Sequence, residues 1–287
     1  MTRPAPTWRL RRLGDRLKEL REMAELSQDE VAERTGMSRG TLIRVESAQR
    51  PPRKLTVMAL LDLYGVHGEE REGLLRRLKN PAATEWITPL RDQLPGPYGD
   101  YIEVESEARL IRSLEIGLVP GLLQTEHYAR AQARAALPET SDDEIGTRVK
   151  ARIERQAAFA QRDARLFTII GEATLHYQVG GPQILSEQLH GLVNALDSEA
   201  VTLRVLPFAA GAHPSMMASF EIMELQEEPS VVCVENSGGV LFLEAPAELD
   251  TFRTIHARLE RIALDESGSR QRITQRIREI QEGDPAS

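Results

Sequence analysis

Two folded parts are expected: a small, mainly α domain of five helices, then an α+β domain with a largely antiparallel sheet. Three observations predict this. Apolar residues recur at helical spacing through the first eighty residues, with a cap or a breaker between runs. Beyond about residue 160, short β-rich runs such as RLFTII, VTLRVLPF and SVVCVEN alternate with turn signals and lead into further helices. The charge also divides unevenly. Residues 1–80 hold 17 Lys and Arg against 12 Asp and Glu, whereas residues 81–287 hold 19 against 32. The net charge of −8 would argue against a nucleic-acid partner for the chain as a whole, but the split describes a basic module on an acidic body.

The 287 residues suffice for two domains with sizeable cores. The expected boundaries are 1–80 for the first domain, 81–97 for a Pro- and Gly-rich linker containing Trp86, and 98–287 for the second. A single cysteine, Cys233, excludes an internal disulfide and leaves Cys-based metal sites without ligands. No apolar run approaches the roughly 20 residues that span a bilayer, and no apolar segment follows the basic start MTRPAPTWRLRR as it would in a signal peptide. The expectation is a cytoplasmic protein with no membrane contact.

Leu10, Leu13, Leu17 and Leu20 mark an amphipathic first helix. Ser27 and Glu30 form a capping box that opens the second. Val31 and Ala32 face inward, and Gly36 suits the left-handed residue that ends the helix. Ser38 caps a third helix, which Leu42 and Val45 anchor. Cap, small residue, glycine, cap and apolar pair make a helix-turn-helix, with Arg39, Thr41 and Arg44 on the side away from the core. A Pro-broken basic loop, AQRPPRKL, leads to a fourth helix carrying Val57, Leu60, Leu61 and Tyr64 and stopping at Gly65; a fifth is expected over 69–79.

On the residues Leu26-Ser27-Gln28, Val31-Ala32, Gly36-Met37-Ser38 and Arg44-Val45-Glu46, segment 10–66 resembles the DNA-binding domain of phage-repressor-like regulators, the xenobiotic-response-element family. The resemblance implies double-stranded DNA as partner. It places Gln28 on a phosphate, at a helix N-terminus that favours anions. It puts Ser38, Arg39, Gly40, Thr41 and Arg44 on the DNA-facing part of the recognition helix, and Arg50, Arg53 and Lys54 along the backbone or in the minor groove. It pairs Glu46 with Arg21. Gly40 departs from the pattern, having no side chain with which to read a base, so specificity is expected to rest on Arg39 and Arg44.

In the second part a helical run is expected through Ala108, Ile111, Leu114 and Glu115, broken at Pro120-Gly121. Thr125 caps a helix carrying Tyr128, and Ser141 opens a long one. Five strands follow: 166–170, VTLRVLPF, SMMASFEIMEL, SVVCVEN and GVLFLE, with a tight turn at Ser237-Gly238-Gly239. A helix lies between the first two strands, starting at the proline of VGGP, and two more close the chain.

Val119 to Thr125 (VPGLLQT), Tyr128 to Ala131, Arg152 to Gln156 (RIERQ), Gly171-Glu172-Ala173, Val179-Gly180-Gly181 and Leu206-Pro207-Phe208 carry a second resemblance. It is to the C-terminal domain of actinobacterial WhiJ-like or Scr-like regulators, whose members often sit beside small neighbour-encoded proteins, an arrangement likened to antitoxin–toxin pairs. Gln124, Thr125 and Tyr128, with Glu172, His176 and His213, are candidates for a ligand or partner site, against the plainer reading of a helix corner. The six histidines show no metal-ligand spacing, and there is no GxSxG and no P-loop, so neither catalysis nor a cofactor is expected. The expectation is a homodimeric regulator on a palindromic operator, because one recognition helix covers only a few base pairs. The C-terminal helices are the first candidates for the dimer contact. The alternative is an antitoxin-like module that neutralises a small protein.

Overall fold

The computed structural model describes residues 8–76, 78, 96–225, 230–236 and 239–283. The linker around Trp86 and the Ser237-Gly238 part of the expected turn lie outside the described residues. The chain divides into two compact units, with the division between Glu85 and Trp86.

The first unit holds α1 (Trp8–Met23), α2 (Gln28–Thr35), α3 (Arg39–Glu46), α4 (Lys54–Leu63) and α5 (Gly68–Arg76). Leu13, Leu17 and Leu20 of α1 pack with Val31, Leu42, Val45, Val57, Leu60, Leu61 and Leu74 in one core. Gly14 sets how closely α1 approaches α3: a Cβ there would lie 2.6 Å from the Glu46 carbonyl oxygen. Three of these helices end alike. Beyond α1, α3 and α4 stand the left-handed residues Glu25, Ala48 and Gly65, at φ 55°, 54° and 71°. The next N–H reaches back to Arg21, Arg44 and Leu61 respectively, in the Schellman pattern.

The second unit contains α6 (Gly96–Glu107), β1 (Ala108–Glu115), α7 (Glu126–Ala136), α8 (Asp142–Ala160), β2 (Arg165–Gly171), α9 (Pro182–Ala195), β3 (Val201–Leu206), β4 (Phe220–Leu225), β5 (Val231–Asn236), β6 (Gly239–Leu243), α10 (Pro246–Ile262) and α11 (Glu266–Glu282). Its sheet has the order β3-β2-β1-β4-β5-β6. The pairings from β1 across β4, β5 and β6 are antiparallel, and those among β1, β2 and β3 are parallel. The fold is therefore α+β with a mostly antiparallel, mixed sheet.

Ala108–Glu115 corrects the sequence reading: it is a central strand, not a helix. Covered on both faces, it lacks the alternation that marks a half-exposed strand. Leu114, Ile169, Phe220, Ile222 and Val232 pack under α10 through Leu249 and Leu259. On the opposite face α9 and α11 cover β2 and β3 through Leu185, Leu189, Leu192, Ile273 and Ile277. The helix α6 crosses β1, β4 and β6.

Candidate nucleic-acid interface

Local devices hold α2 and α3. Ser27 accepts from the Glu30 N–H at 3.2 Å and gives its own N–H to the Glu30 carboxylate at 2.8 Å. Those bonds from Ser27 favour the ionised carboxylate and hold Glu30 below its ordinary proton affinity. Gly36 turns the chain at φ 69°. Ser38 then accepts from the Thr41 N–H at 3.2 Å.

Beneath α3 lies a buried ion pair. The Arg21 Nε donates to Glu46 at 2.7 Å, a second guanidinium nitrogen reaches the other carboxylate oxygen at 3.3 Å, and a third donates to the Leu26 carbonyl at 2.9 Å. The Gln28 carboxamide donates to Glu46 at 2.9 Å. The hydrogen bonds that Arg21 gives to Glu46 outweigh desolvation and raise the proton affinity of the guanidinium. Burial, with Glu46 nearby, pushes the Tyr64 phenol up. The network joins the end of α1, the start of α2 and the end of α3, so the turn of the motif is fixed by side chains as well as by the backbone. It also occupies the amide that the resemblance assigns to a phosphate; the backbone N–H of Gln28 at the start of α2 remains the group suited to that contact.

Above this network α3 presents an exposed arc. Arg39, Gly40, Ile43, Arg44 and Ser47 are exposed, whereas Leu42, Val45 and Glu46 are buried. At 100° per residue, Ile43 and Ser47 fall between Arg39 and Arg44. Ile43 was not among the candidates read from the sequence. Its exposure is the missing signal, since an isoleucine on an amphipathic helix reads as core. Thr41 is half-buried at the edge of the arc, its hydroxyl 2.9 Å from that of Ser38 and 3.4 Å from an Arg44 nitrogen. Arg39 lies 3.6 Å from Asp29 of α2, an exposed pair of little strength. Around Gly40 there is open space: a Cβ would meet nothing within 4 Å. Past the end of α3, Thr41, Arg44, Arg50, Pro51, Pro52 and Arg53 line a shallow basic cleft of about 210 Å³. It opens beside the N-terminus of α4, where Lys54 is the first residue. Chemically, arginines and a helix N-terminus suit phosphates, and arginines and an exposed apolar residue suit base edges.

The candidates in the second unit do not assemble into one site. Gln124 is buried, donating to the Val119 carbonyl at 2.8 Å and accepting from Arg152. Thr125 caps α7 by accepting from the Tyr128 N–H, and its own N–H goes to Gln188. Tyr128 is fully buried. Glu172 is bound by Arg272 and accepts the Phe208 N–H at 2.7 Å. His176 lies 5.8 Å from the Phe208 ring, and burial lowers the proton affinity of both His176 and His213. The cavity that Gln124 lines includes none of the other five. Capping, core packing and ion pairing account for the polar groups of Thr125, Tyr128 and Glu172.

Fold and interface thus define a helix-turn-helix protein of the DNA-binding regulator class. Residues 12–74 match the family model described as a helix-turn-helix domain, and residues 98–275 match that described as a domain of unknown function, DUF5753. The second match spans more than half of the chain, and the chain belongs to the DUF5753 family. No curated protein and no solved structure matches it. Among the described residues, no helix is long and apolar enough to cross a membrane.

Proposed function

We propose that the protein is a sequence-specific transcriptional regulator of the phage-repressor-like kind that acts as a homodimer on a palindromic operator. Its second unit, of the WhiJ-like or Scr-like kind, senses a ligand or docks a partner and has no catalytic role. The observation that carries the reading is the exposed arc of α3, with Arg39 and Arg44 flanking Ile43, held on the Arg21–Glu46–Gln28 network. In the proposed contact the two arginines read guanine edges, Ile43 meets a thymine methyl, and Arg50, Arg53 and Lys54 bind phosphates.

The test is selection of bound sequences from random duplexes, followed by titration of the selected site. The expected result is an inverted repeat with half-sites about one helical turn apart. Each of Arg39→Ala and Arg44→Ala should cost roughly 1–3 kcal/mol and relax one position of the repeat, while Arg53→Ala should weaken all sequences alike and lower the salt dependence. Recovery of random sequence, unchanged in the variants, would overturn the reading.

A second reading has its own support. Phe208, Met216 and Met217 are 63, 58 and 95% exposed in the loops between β3 and β4. Methionine-rich exposed surface adapts to protein partners. An antitoxin-like role, with DNA binding serving autoregulation, predicts that a small neighbour-encoded protein co-purifies and is released by Met217→Asp.

A further inference from the structure

A cavity of about 120 Å³ lies in the second unit between the sheet and the helices α6 and α8, well above the roughly 10–15 Å³ that a single water needs. Its two walls differ in charge. From the sheet come Glu115 of β1, Glu221 of β4 and Glu235 of β5. The register puts all three on one face: Ser113 pairs with Glu221, Glu221 pairs with Cys233, and Glu115 and Glu235 each stand two residues further along. From the helical side come Arg152, Gln124 and Gln132. Tyr98 and Tyr101, stacked at 6.0 Å, add an aromatic wall.

Arg155, which also borders the cavity, is committed elsewhere: it binds Glu105 at 2.9 Å and Tyr98 at 3.0 Å. Gly121 makes room for it, since a Cβ there would lie 2.8 Å from its guanidinium. Glu115, Glu221 and Glu235 are in no ion pair among the described residues; Glu221 accepts from Tyr101 at 2.7 Å. Across the cavity, Arg152 donates to the neutral Gln124 amide and is likewise in no ion pair. One wall therefore carries three carboxyl groups without a cation partner, and the facing wall offers a guanidinium without an anion.

We propose that this cavity binds a small zwitterion of the α-amino-acid class. Its ammonium lies on the carboxyl wall, its carboxylate is gripped by Arg152 with the amides beside it, and its side chain lies against the tyrosines. Both halves of such a ligand meet groups of opposite charge whose present partners are neutral. Burial, with Glu221 nearby, holds Glu115 at about 8, and burial, with Glu105 nearby, holds Glu221 at about 7, so protons now occupy part of the wall that an ammonium would face. The inference rests on the reading of the second unit as the sensing half.

The test is titration calorimetry on the full chain with single L-amino acids. Each is compared with its amide, which keeps the ammonium, and its N-acetyl form, which keeps the carboxylate. At least one amino acid is expected to bind, with both derivatives weaker by roughly tenfold or more, about 1.4 kcal/mol each. Arg152→Gln should weaken the parent acid and leave its amide unaffected. Glu221→Gln should weaken both, and Glu235→Gln, at an exposed position, repeats that test without disturbing the core. No binding down to the roughly millimolar range, or an amide equal to its parent acid, would overturn the proposal. A DNA titration separates the two readings. Amino-acid binding that leaves operator affinity unchanged upholds the site and overturns its role as a sensor.

Discussion

Arg21 with Glu46 in the first unit, and Arg155 with Glu105 in the second, are the same bond in different company. Arg21 holds both oxygens of Glu46, its remaining nitrogen goes to Leu26, and Gln28 completes the carboxylate. Arg155 holds one oxygen of Glu105 and two tyrosine hydroxyls, and its Nε has no hydrogen-bond partner. Around it stand Glu115, whose proton affinity is raised by burial and by Glu221, and Glu221, whose proton affinity is raised by burial and by Glu105. The first pair is a closed joint that fixes three helix ends. The second is a counter-charge in an acidic surround. One bond can thus serve geometry in one place and charge balance in another, and substitutions separate the roles.

The largest expected effect is at the second pair. Arg155→Met leaves Glu105, 2% exposed, without its cation and removes the attraction that Glu221 and Glu115 also feel. The melting transition of the second unit should lose about 3–5 kcal/mol, the usual cost of stripping one partner from a buried pair. Arg21→Met should cost the first unit less, about 2–3 kcal/mol, because that guanidinium reaches the surface beside Glu22. Its second expected consequence is weaker DNA binding, since the start of α2 and the end of α3 lose their common tie. Differential scanning calorimetry resolves the two transitions. Equal losses in both units would show that the surrounding carboxyls do not matter, and the comparison would fail.

A pH series sharpens the charge-balance half. Glu115 and Glu221, held at about 8 and about 7, keep protons in the folded state that the unfolded chain releases above the ordinary carboxylate range. Folded protein then binds more protons, so stability is present at low pH and is lost as pH rises through 7 and 8. His256 acts with the opposite sign. Burial, with Arg112 nearby, holds it at about 4, so its contribution is lost as pH falls through 4 and is complete above the ordinary histidine value of 6.5. Between pH 6.5 and 8 the carboxyls act alone, and the second transition should fall. In Glu115→Gln that fall should shrink while the first transition stays level. A second transition independent of pH in this range would exclude protonated Glu115.

The two units also differ in how openly the sequence declares them. Ser27, Glu30, Gly36 and Ser38 act on backbone within three or four residues, so their spacing alone exposes the helix-turn-helix and the arc carrying Arg39 and Arg44. The Arg21–Glu46 joint spans 25 residues and was legible only through a resemblance. Glu115 and Glu221 are 106 positions apart and meet because β1 and β4 are neighbours; no local pattern announces that. Misreading β1 as a helix hid the pairing, because Ala108, Ile111 and Leu114 fall at helical spacing in a strand covered on both faces. Ile43 stayed hidden for a simpler reason: the alphabet of an amphipathic helix does not distinguish an apolar residue left exposed from one meant for the core.

The smallest effect probes how local the first unit's stability is. Glu25 and Ala48 both occupy the left-handed position of a Schellman cap, at φ 55° and 54°, where a Cβ is disfavoured. Glu25 is exposed, so Glu25→Gly relieves the backbone and loses no packing; a gain of about 1 kcal/mol in the first transition is expected. Ala48 is 1% exposed. Ala48→Gly relieves the same backbone but removes a buried methyl worth about 0.8 kcal/mol, so the two changes nearly cancel. Both variants should leave the second transition and its pH slope unmoved. If Glu25→Gly instead shifts the second transition, the units share stability, and their different use of the buried arginine–glutamate bond cannot be read one unit at a time.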